Sequence, residues 1–292
     1  MGILYVYYLL KDNYMLGIRT NISALKSIKL LGSTSMKLSG SVDHISSGKR
    51  INSAADDGAG LSVSTRLKAA STSLSQAHRN INDAIGLVQT TEGTVERLSS
   101  LVIRLRELSV QASNKTYTSD DRGAILEEMT AINADWRRVS SSAEYNDVAV
   151  MTSNSTLSFQ VGKDIGDTIS LDLSEFNIPS VSIFNVVGNT IISGTSARPS
   201  IARRNLRALD STLDTLGNMR VKLGSTQNRL ETALALVGDE NNTMKLARSR
   251  ILDVDYASET ASMTRLQIQQ QVGIASLSQA KNIPSNFMSL LN

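Results

Sequence analysis

Two segments of the chain repeat apolar residues at every seventh position, and this period limits the fold more than any other feature of the sequence. The first segment has its repeats at Ile81, Val88, Val95 and Val102, followed three positions later by Ala84, Thr91, Leu98 and Leu105. The second has them at Leu209, Leu216, Leu223, Leu230 and Val237. This period is typical of long α-helices packed side by side. Because each buried Leu contributes roughly 1.5–3 kcal/mol, we expect the two helices to pair antiparallel, which brings the chain ends together.

The middle of the chain changes period. A connector is predicted at residues 46–53, before the long helix, and a further helix is predicted from Ser119, with a cap at Ser119-Asp120-Asp121, to about Ser142. Residues 157–173 then alternate apolar and polar side chains about a turn with Gly and Asp, which predicts a β-hairpin. Weaker strand signals continue to Ile192, and helix returns near Ser200.

The terminal segments also have helical periods, from Ala24 to Ile45 and from Leu252 to Ala280, closed by Ile283-Pro284. If they pair with each other they leave apolar surface exposed, and such stripes require a partner. The most available partner is a second copy of the chain. The predicted polymerisation core consists of Leu31, Leu38, Val42, Ile45, Met263, Leu266, Ile274 and Leu277.

The predicted fold is therefore mainly α. It is an elongated antiparallel helical bundle or coiled coil with a small β-hairpin, in which the N- and C-terminal helices pair. Aromatic residues make up only 4% of the chain and there are three prolines, which suits long aliphatic helices better than a compact enzyme.

Charge and cysteine content exclude several classes of protein. The net charge of +3 is spread along the chain, whereas nucleic-acid binders concentrate basic residues in a patch. Cysteine is absent, which excludes disulfide scaffolds and thiolate metal sites.

The apolar run Ile3–Leu10 lacks the basic leading region of a secretory signal. We interpret residues 1–14 as an extension or a mis-called start, with Met15 as the alternative first residue.

The residues able to do chemistry favour structural roles. His44 and His78 lie on separate predicted helices and no serine lies in a nucleophile-elbow pattern, so we interpret both histidines as surface or packing residues. Asp56-Asp57 precedes a long helix and is predicted to cap it. Asp164 and Asp167 are too few oxygen ligands for a calcium loop. We therefore predict no catalytic, cofactor or metal site and a protein that is not an enzyme.

Longer motifs lie in order near both ends of the chain. The N-terminal set is residues 45–60 (ISSGKRINSAADDGAG), 89–93 (QTTEG) and 104–111 (RLRELSVQ). The C-terminal set is residues 223–229 (LGSTQNR), 247–257 (ARSRILDVDYA), 267–271 (QIQQQ) and 282–286 (NIPSN). In this order they closely resemble bacterial flagellin over residues 15–175 and 200–292. Trp136 is an unusual bulky residue for that pattern.

The resemblance implies a division of the chain and a function. It implies a terminal-helix domain at the filament core from residues 15–47 and 252–292, and a helical-hairpin domain with the β-hairpin from residues 48–175 and 198–251. Only a short outer loop, 176–197, then stands where relatives insert large domains. The implied function is a secreted subunit that polymerises into the bacterial flagellar filament for swimming, after export through the flagellar type III apparatus.

The resemblance also implies partners. These are further copies of the chain, an export chaperone at the C-terminal helix, and the filament cap and hook-junction proteins. Arg104, Leu108 and Glu128 match the flagellin segment that contacts the innate flagellin-sensing Toll-like receptor, although from the residues alone they are ordinary helix-surface or packing residues. Two rival functions are a hook–filament junction protein and a secreted enzyme or adhesin.

Overall fold

The computed structural model describes residues 20–176 and 199–291, with side chains for residues 20–176 and 205–282. Five α-helices form most of this part of the chain. They are α1 (Ile22–Ser47), α2 (Ala54–Ala112), α3 (Ser119–Ser142), α4 (Pro199–Leu252) and α5 (Tyr256–Leu291). The prediction of a mainly α fold is therefore confirmed. The predictions for residues 1–14, for nearly all of the outer loop 176–197 and for strands up to Ile192 fall outside the described residues.

The chain divides into two compact units. Met1–Leu67 and Leu246–Asn292 form the first, here called the terminal unit, and Lys68–Lys245 forms the second, here called the central unit. Helices α2 and α4 each contribute residues to both units. Within the described ranges, no helix combines the length and the apolar character needed to cross a membrane.

In the central unit, α2 and α4 run antiparallel, as their period predicted. The side chain of Arg106 donates from Nε to Asp210 Oδ1 at 2.7 Å. About ten turns earlier on α2, Ser71 Oγ donates to Asn241 Oδ1 at 2.6 Å. The residue numbers of the bonding partners on α4 thus rise as those on α2 fall, which defines an antiparallel pair.

The seven-residue repeats line the core of this unit. The repeat positions given above for α2 and α4, here called the seam of each helix, are all buried, and the most accessible of them, Val237, is only 5% exposed. Helix α3 adds Ile125, Met129 and Trp136 to the same core. The prediction that each seam is sealed by the other helix is confirmed, with α3 as a further cover.

The predicted β-hairpin is present, with strands β3 (Thr156–Gln160) and β4 (Thr168–Asp172) paired antiparallel in register from Thr156↔Asp172 to Gln160↔Thr168. Ile169 and Leu171 on β4 are buried in the core of the central unit. A shorter hairpin, β1 (Glu144–Tyr145) with β2 (Val148–Ala149), was not predicted. Its turn holds Asn146 and Asp147 at φ of 49° and 62°, the left-handed region that Asn and Asp tolerate best among non-glycine residues.

Helix α3 begins with a capping box one residue earlier than predicted. Its N-cap is Thr118, whose Oγ1 accepts from the N–H of Asp121 while the Asp121 carboxylate accepts from the Thr118 N–H at 2.9 Å. Hydrogen bonds from the Thr118 backbone and hydroxyl hold the pKa of Asp121 below its usual value. Of the predicted cap Ser119-Asp120-Asp121, Asp121 does take part, but the N-cap residue is Thr118, whose hydroxyl lies over the third helical residue.

Two helix ends lie beyond the predicted positions. Helix α4 continues unbroken past Val237, the last position of its repeat, to Leu252, since residues 239–251 contain no Gly or Pro. Helix α5 continues through Pro284 to Leu291, so the predicted end at Ile283-Pro284 was wrong. A proline removes a single backbone donor, and a helix can continue where the freed carbonyl finds another partner.

Candidate functional site

The terminal unit is built on an antiparallel pair of α1 and α5. Near the start of α1, Asn21 Nδ2 donates to the carbonyl oxygen of Ala280 at 2.6 Å. Near its end, Ser41 Oγ donates to Glu259 Oε1 at 2.5 Å. Between these bonds, a Cβ on Gly273 would lie 3.4 Å from Leu31 Cδ1, so the glycine lets the helices approach closely. The predicted pairing of the N- and C-terminal helices is confirmed.

Apolar side chains on this pair are only partly covered. Six of the eight predicted polymerisation-core residues are half-buried along the pair, while Val42 and Ile274 are exposed. Further exposed apolar residues lie outside the predicted polymerisation core: Ile22, Leu25, Ile28, Leu30, Met36, Ile268 and Val272. Among the terminal unit's described side chains, the buried apolar ones are Ile51, Leu252 and Ala280. One apolar face is thus shared within the pair and another faces solvent.

The connectors next to these helices hydrogen-bond to each other. Residues 48–53 follow α1 and residues 251–255 lead into α5, and together they form what we call the connector clasp. The Arg50 N–H donates to the Leu252 carbonyl at 2.6 Å, and the Val254 N–H donates to the Gly48 carbonyl at 3.1 Å. Arg50 Nη2 also donates to the Ile251 carbonyl at 2.8 Å. Motifs from opposite ends of the sequence, SSGKRINSA and RILDVDYA, therefore meet in one structure.

Gly48 is required in the clasp for two reasons. Its φ of 68° lies in the left-handed region, where a side chain is strained, and it forms the C-cap of α1. A Cβ at this position would also lie 3.0 Å from the hydroxyl oxygen of Tyr256. That hydroxyl donates to the carbonyl of Ile45 at 3.4 Å, which brings α5 against the end of α1.

Asp56 and Asp57 act as caps, as predicted from their position. Asp56 Oδ2 accepts from the backbone N–H groups of Ser53 at 2.8 Å and Asn52 at 3.0 Å. These two hydrogen bonds lower the pKa of Asp56 from its usual value, and the bond from Ser53 has the larger effect. Asp57 Oδ1 accepts from the N–H of Gly60 at 2.9 Å, and its own backbone is extended at φ −162°. The regular part of α2 therefore starts after Asp57.

The two histidines lie in different units. His44 lines an open cleft beside the connector clasp, with Nδ1 3.5 Å from Glu259 Oε1 and Nε2 4.0 Å from Asp56 Oδ1. The two carboxylates face opposite nitrogens of the ring, so they cannot chelate an ion together with it. His78 lies one turn from Asn82, which donates to its carbonyl. The described residues hold no group of three or more His, Asp or Glu side chains arranged for a metal ion.

The hairpin aspartates have local roles. Asp167 Oδ2 accepts from the N–H of Asp164 at 3.3 Å within the turn between β3 and β4. Next to them, Lys163 Nζ lies 2.7 Å from Glu240 Oε1, which ties the turn to α4. Hydrogen bonds to Glu240 first and to Asp164 second raise the pKa of Lys163. This arrangement fixes the hairpin on the helices of the central unit.

The fold places the three residues matched to a receptor contact in two environments. Arg104 Nε donates to Glu128 Oε1 at 2.9 Å and Nη1 donates to Glu107 Oε2 at 3.1 Å, so this exposed surface joins α2 to α3. The hydrogen bond to Glu128 is the main cause of the raised pKa of Arg104. Leu108 is 1% exposed and belongs to the core. The structure therefore brings Arg104 and Glu128 together and places the Leu108 side chain inside.

Comparisons with known proteins agree with this architecture. Residues 18–156 match the model of the bacterial flagellin N-terminal helical region, and residues 206–291 match that of the C-terminal helical region. The chain is 30% identical over 283 residues to a flagellar filament 30.7 kDa core protein of Treponema maltophilum, covering 94% of this chain and 99% of that protein. It is 32% identical over 275 residues to a flagellin of Halalkalibacterium halodurans, with the same coverage.

A solved structure shares the fold. It is that of a Vibrio parahaemolyticus protein described as flagellar hook-associated, with a TM-score of 0.61 and 13% identity, covering 68% of this chain and 100% of that one. At this identity the likeness concerns the fold alone. The two family models instead match the same terminal helices, connectors and long helices that build the two units. Flagellins are structural proteins and not enzymes, and this chain belongs to the bacterial flagellin family.

Proposed function

We propose that this protein is a subunit of the bacterial flagellar filament, which it forms by polymerising with copies of itself. The observation that carries the proposal is the half-covered apolar surface of α1 and α5. These helices expose Leu25, Ile28 and Ile268, among others, to solvent, although the same chain buries the seven-residue repeats of its central unit. Burial of such side chains against further copies supplies the free energy of assembly.

The names of the similar proteins support this assignment. One is a flagellar filament core protein and another is a flagellin, and each is covered almost completely by this chain. We propose that the terminal helices, at residues 15–47 and 252–292, form the inner core of the filament. The helical-hairpin domain, at residues 48–175 and 198–251, surrounds it, with the short segment 176–197 outermost.

Export and partners are part of the proposal. The subunit is secreted unfolded through the flagellar type III apparatus and acts outside the cell, where the rotating filament drives swimming. The absence of cysteine suits a chain that must remain uncrosslinked during export. An export chaperone covers the apolar face of α5 before secretion, and the cap and hook-junction proteins contact the filament at its two ends.

Seeded assembly tests the proposal. Purified full-length protein is added to short fragments of its own filaments, and elongation is followed by electron microscopy. We expect long filaments from the full chain, and folded chains that do not elongate from deletions of residues 15–45 or 283–292. A full-length chain that stays monodisperse at high concentration, or a tail-deleted chain that elongates normally, would contradict filament formation through these helices.

The same experiment separates the alternative function. A hook–filament junction protein shares the paired terminal helices, and the structural likeness to a hook-associated protein reflects that shared fold. Such a protein binds an existing filament end without forming long filaments by itself. Arrest after one layer on the seeds would therefore favour the junction function over the filament subunit.

We also propose that the paired side chains of Arg104 and Glu128 contact the innate flagellin-sensing Toll-like receptor. Both side chains are about half exposed and point from neighbouring helices, whereas Leu108 supports the surface from inside. Receptor activation by monomeric Arg104→Ala protein tests this contact, with Arg138→Ala, another exposed arginine paired on its own helix, as control. Signalling by Arg104→Ala equal to wild type would refute it.

A further inference from the structure

One side chain links the two terminal helices at the end of the pair farthest from the connector clasp. Asn21 Oδ1 accepts from the N–H of Ala24 at 3.0 Å and so caps α1. Asn21 Nδ2 donates to the carbonyl oxygen of Ala280 on α5 at 2.6 Å. The opposite amide orientation would set donor against donor and acceptor against acceptor, so the two partners define which atom is which. Asn21 thus uses one amide to start α1 and to hold α5.

The carbonyl of Ala280 needs a partner because of the sequence that follows it. In an α-helix this carbonyl accepts from the N–H of the residue four positions later, which here is Pro284. Proline has no N–H, yet α5 continues to Leu291. Ala280 is also buried, 6% exposed, so solvent has little access to replace the missing donor.

We infer that Pro284 and Asn21 form a matched pair that locks α5 against α1. Pro284 leaves one carbonyl of α5 without a helical donor, and Asn21 supplies that donor from the other end of the chain. Carbonyls one turn earlier on α5 already accept from their own helix, so a slipped pairing would gain less from the Asn21 amide. Asn21 is therefore a positioning residue for the terminal pair.

The inference rests on the proposed function, because the locked pair is what copies of the chain stack against in a filament. It goes further by assigning the fit between the helices to two named residues. Other contacts along the pair, such as Ser41 with Glu259, lie near the opposite end. The end at Asn21 has no clasp, since the connectors lie beside Gly48 and Val254.

A double-mutant cycle tests the pair by seeded assembly. Asn21→Asp keeps the cap acceptor but turns a carboxylate oxygen towards the Ala280 carbonyl, and we expect the critical concentration to rise roughly fivefold for the lost hydrogen bond. Pro284→Ala restores an N–H to the Ala280 carbonyl. In that background we expect Asn21→Asp to change the critical concentration less than about twofold. Asn21→Ser, which keeps a cap without adding a second acceptor, should fall between wild type and Asn21→Asp.

The outcomes distinguish this inference from the proposed function. Elongation by the wild type reports on the proposed function, whereas the ratio of variant to wild type reports on the pair. An equal loss for Asn21→Asp in both backgrounds, or no loss in either, overturns the inference. Should the wild type not elongate, the same cycle is measured by hydrogen exchange of α1 and α5 amides in the unassembled chain. If Asn21→Asp accelerates exchange in the chain with Pro284 but not in the Pro284→Ala background, the result supports the pair. Any other pattern overturns it.

Discussion

The central unit and the terminal unit use similar residues in opposite ways. In the central unit, apolar residues at seven-residue spacing on α2 and α4 are buried, and α3 and the larger hairpin add side chains to the same core. In the terminal unit, α1 and α5 have a comparable proportion of Leu, Ile and Val, but many of these side chains lie at least half in solvent. The difference is in the number of covering elements and not in composition.

This contrast shows how one chain separates folding from assembly. A pair of helices can cover only the inward stripe of each member, whereas a third helix and a hairpin cover the rest. The central unit therefore gains its stability within one molecule. In the proposed function the terminal unit is completed by other molecules, and its exposed stripe is the assembly surface.

The largest effect is expected in the sealed seam of the central unit. Leu216 is fully buried, so Leu216→Ala should lower the free energy of unfolding by about 2–5 kcal/mol through lost burial and a cavity. Leu236→Ala on the same helix is the matched control, because Leu236 is 66% exposed and should change stability by less than about 0.5 kcal/mol. Urea unfolding followed by the fluorescence of Trp136, the single tryptophan, measures both. Equal decreases in unfolding free energy for Leu216→Ala and Leu236→Ala would contradict the contrast between buried and exposed positions.

The exposed stripe should show the opposite behaviour. Replacing both Leu25 and Ile28 by Ala should leave unfolding of the central unit unchanged, since both side chains lie on α1 and are more than half exposed. If assembly buries these two side chains, the critical concentration for assembly of the double variant should be roughly thirtyfold higher than that of wild type, equivalent to about 1 kcal/mol for each side chain. Seeded elongation measures the change, with Leu236→Ala as the control for an exposed leucine outside the terminal unit. Normal assembly would exclude this stripe from the subunit contacts.

Sequence reasoning located the sealed seam well and the connector clasp poorly. The seam follows from a period sustained over many turns, because burial of the same face at each turn is additive and outweighs local preferences. The clasp joins Arg50 to Leu252 across the length of the chain, and nothing in the local pattern of either connector indicates the other. The one available signal was that both connectors lie within long motifs, which indicated importance without indicating contact.

Other differences have separate causes. The β1–β2 hairpin has strands of two residues each, too short for an alternating pattern to appear. Pro284 suggested a helix end because proline normally stops a helix, and the compensating donor on Asn21 lies far away in sequence. The burial of Leu108 depends on how α2 is covered within the core, which the seven-residue repeat of α2 does not specify. The last two features depend on contacts between distant segments, which one sequence does not display.

The connector clasp provides a smaller and more local test. Gly48→Ala forces a side chain into the left-handed region and against the Tyr256 hydroxyl, so it should destabilise the clasp by about 1–2 kcal/mol. Gly58→Ala is the matched control, because a Cβ there meets no atom within 4 Å. Hydrogen exchange of the Arg50 and Val254 amides reports on the clasp, and Trp136 fluorescence reports on the central unit. Faster exchange in Gly48→Ala with unchanged fluorescence would place the effect in the terminal unit alone.

The smallest effect is expected from acid, and it compares the caps of the two units. The pKa of Asp121 in the central unit and that of Asp56 in the terminal unit are both lowered by hydrogen bonds to backbone N–H groups. Because the folded pKa lies below the unfolded value of 3.8, each carboxylate stabilises its unit above that pH and loses the contribution as the pH falls through the folded value. The difference in unfolding free energy between Asp121→Asn and wild type should therefore become smaller as the pH falls below about 4.

Asp56→Asn should show the same pH dependence in a different observable. Unfolding of the central unit, followed by Trp136, should remain that of the wild type at every pH, because Asp56 belongs to the terminal unit. Exchange of the Ser53 amide, which donates to Asp56, should be faster than in wild type near neutral pH and converge with it in acid. If Asp56→Asn instead shifted the Trp136 transition, the cap would be coupled to the central core. The separation of folding in one unit from assembly in the other would then fail, since loss of a single cap would alter both.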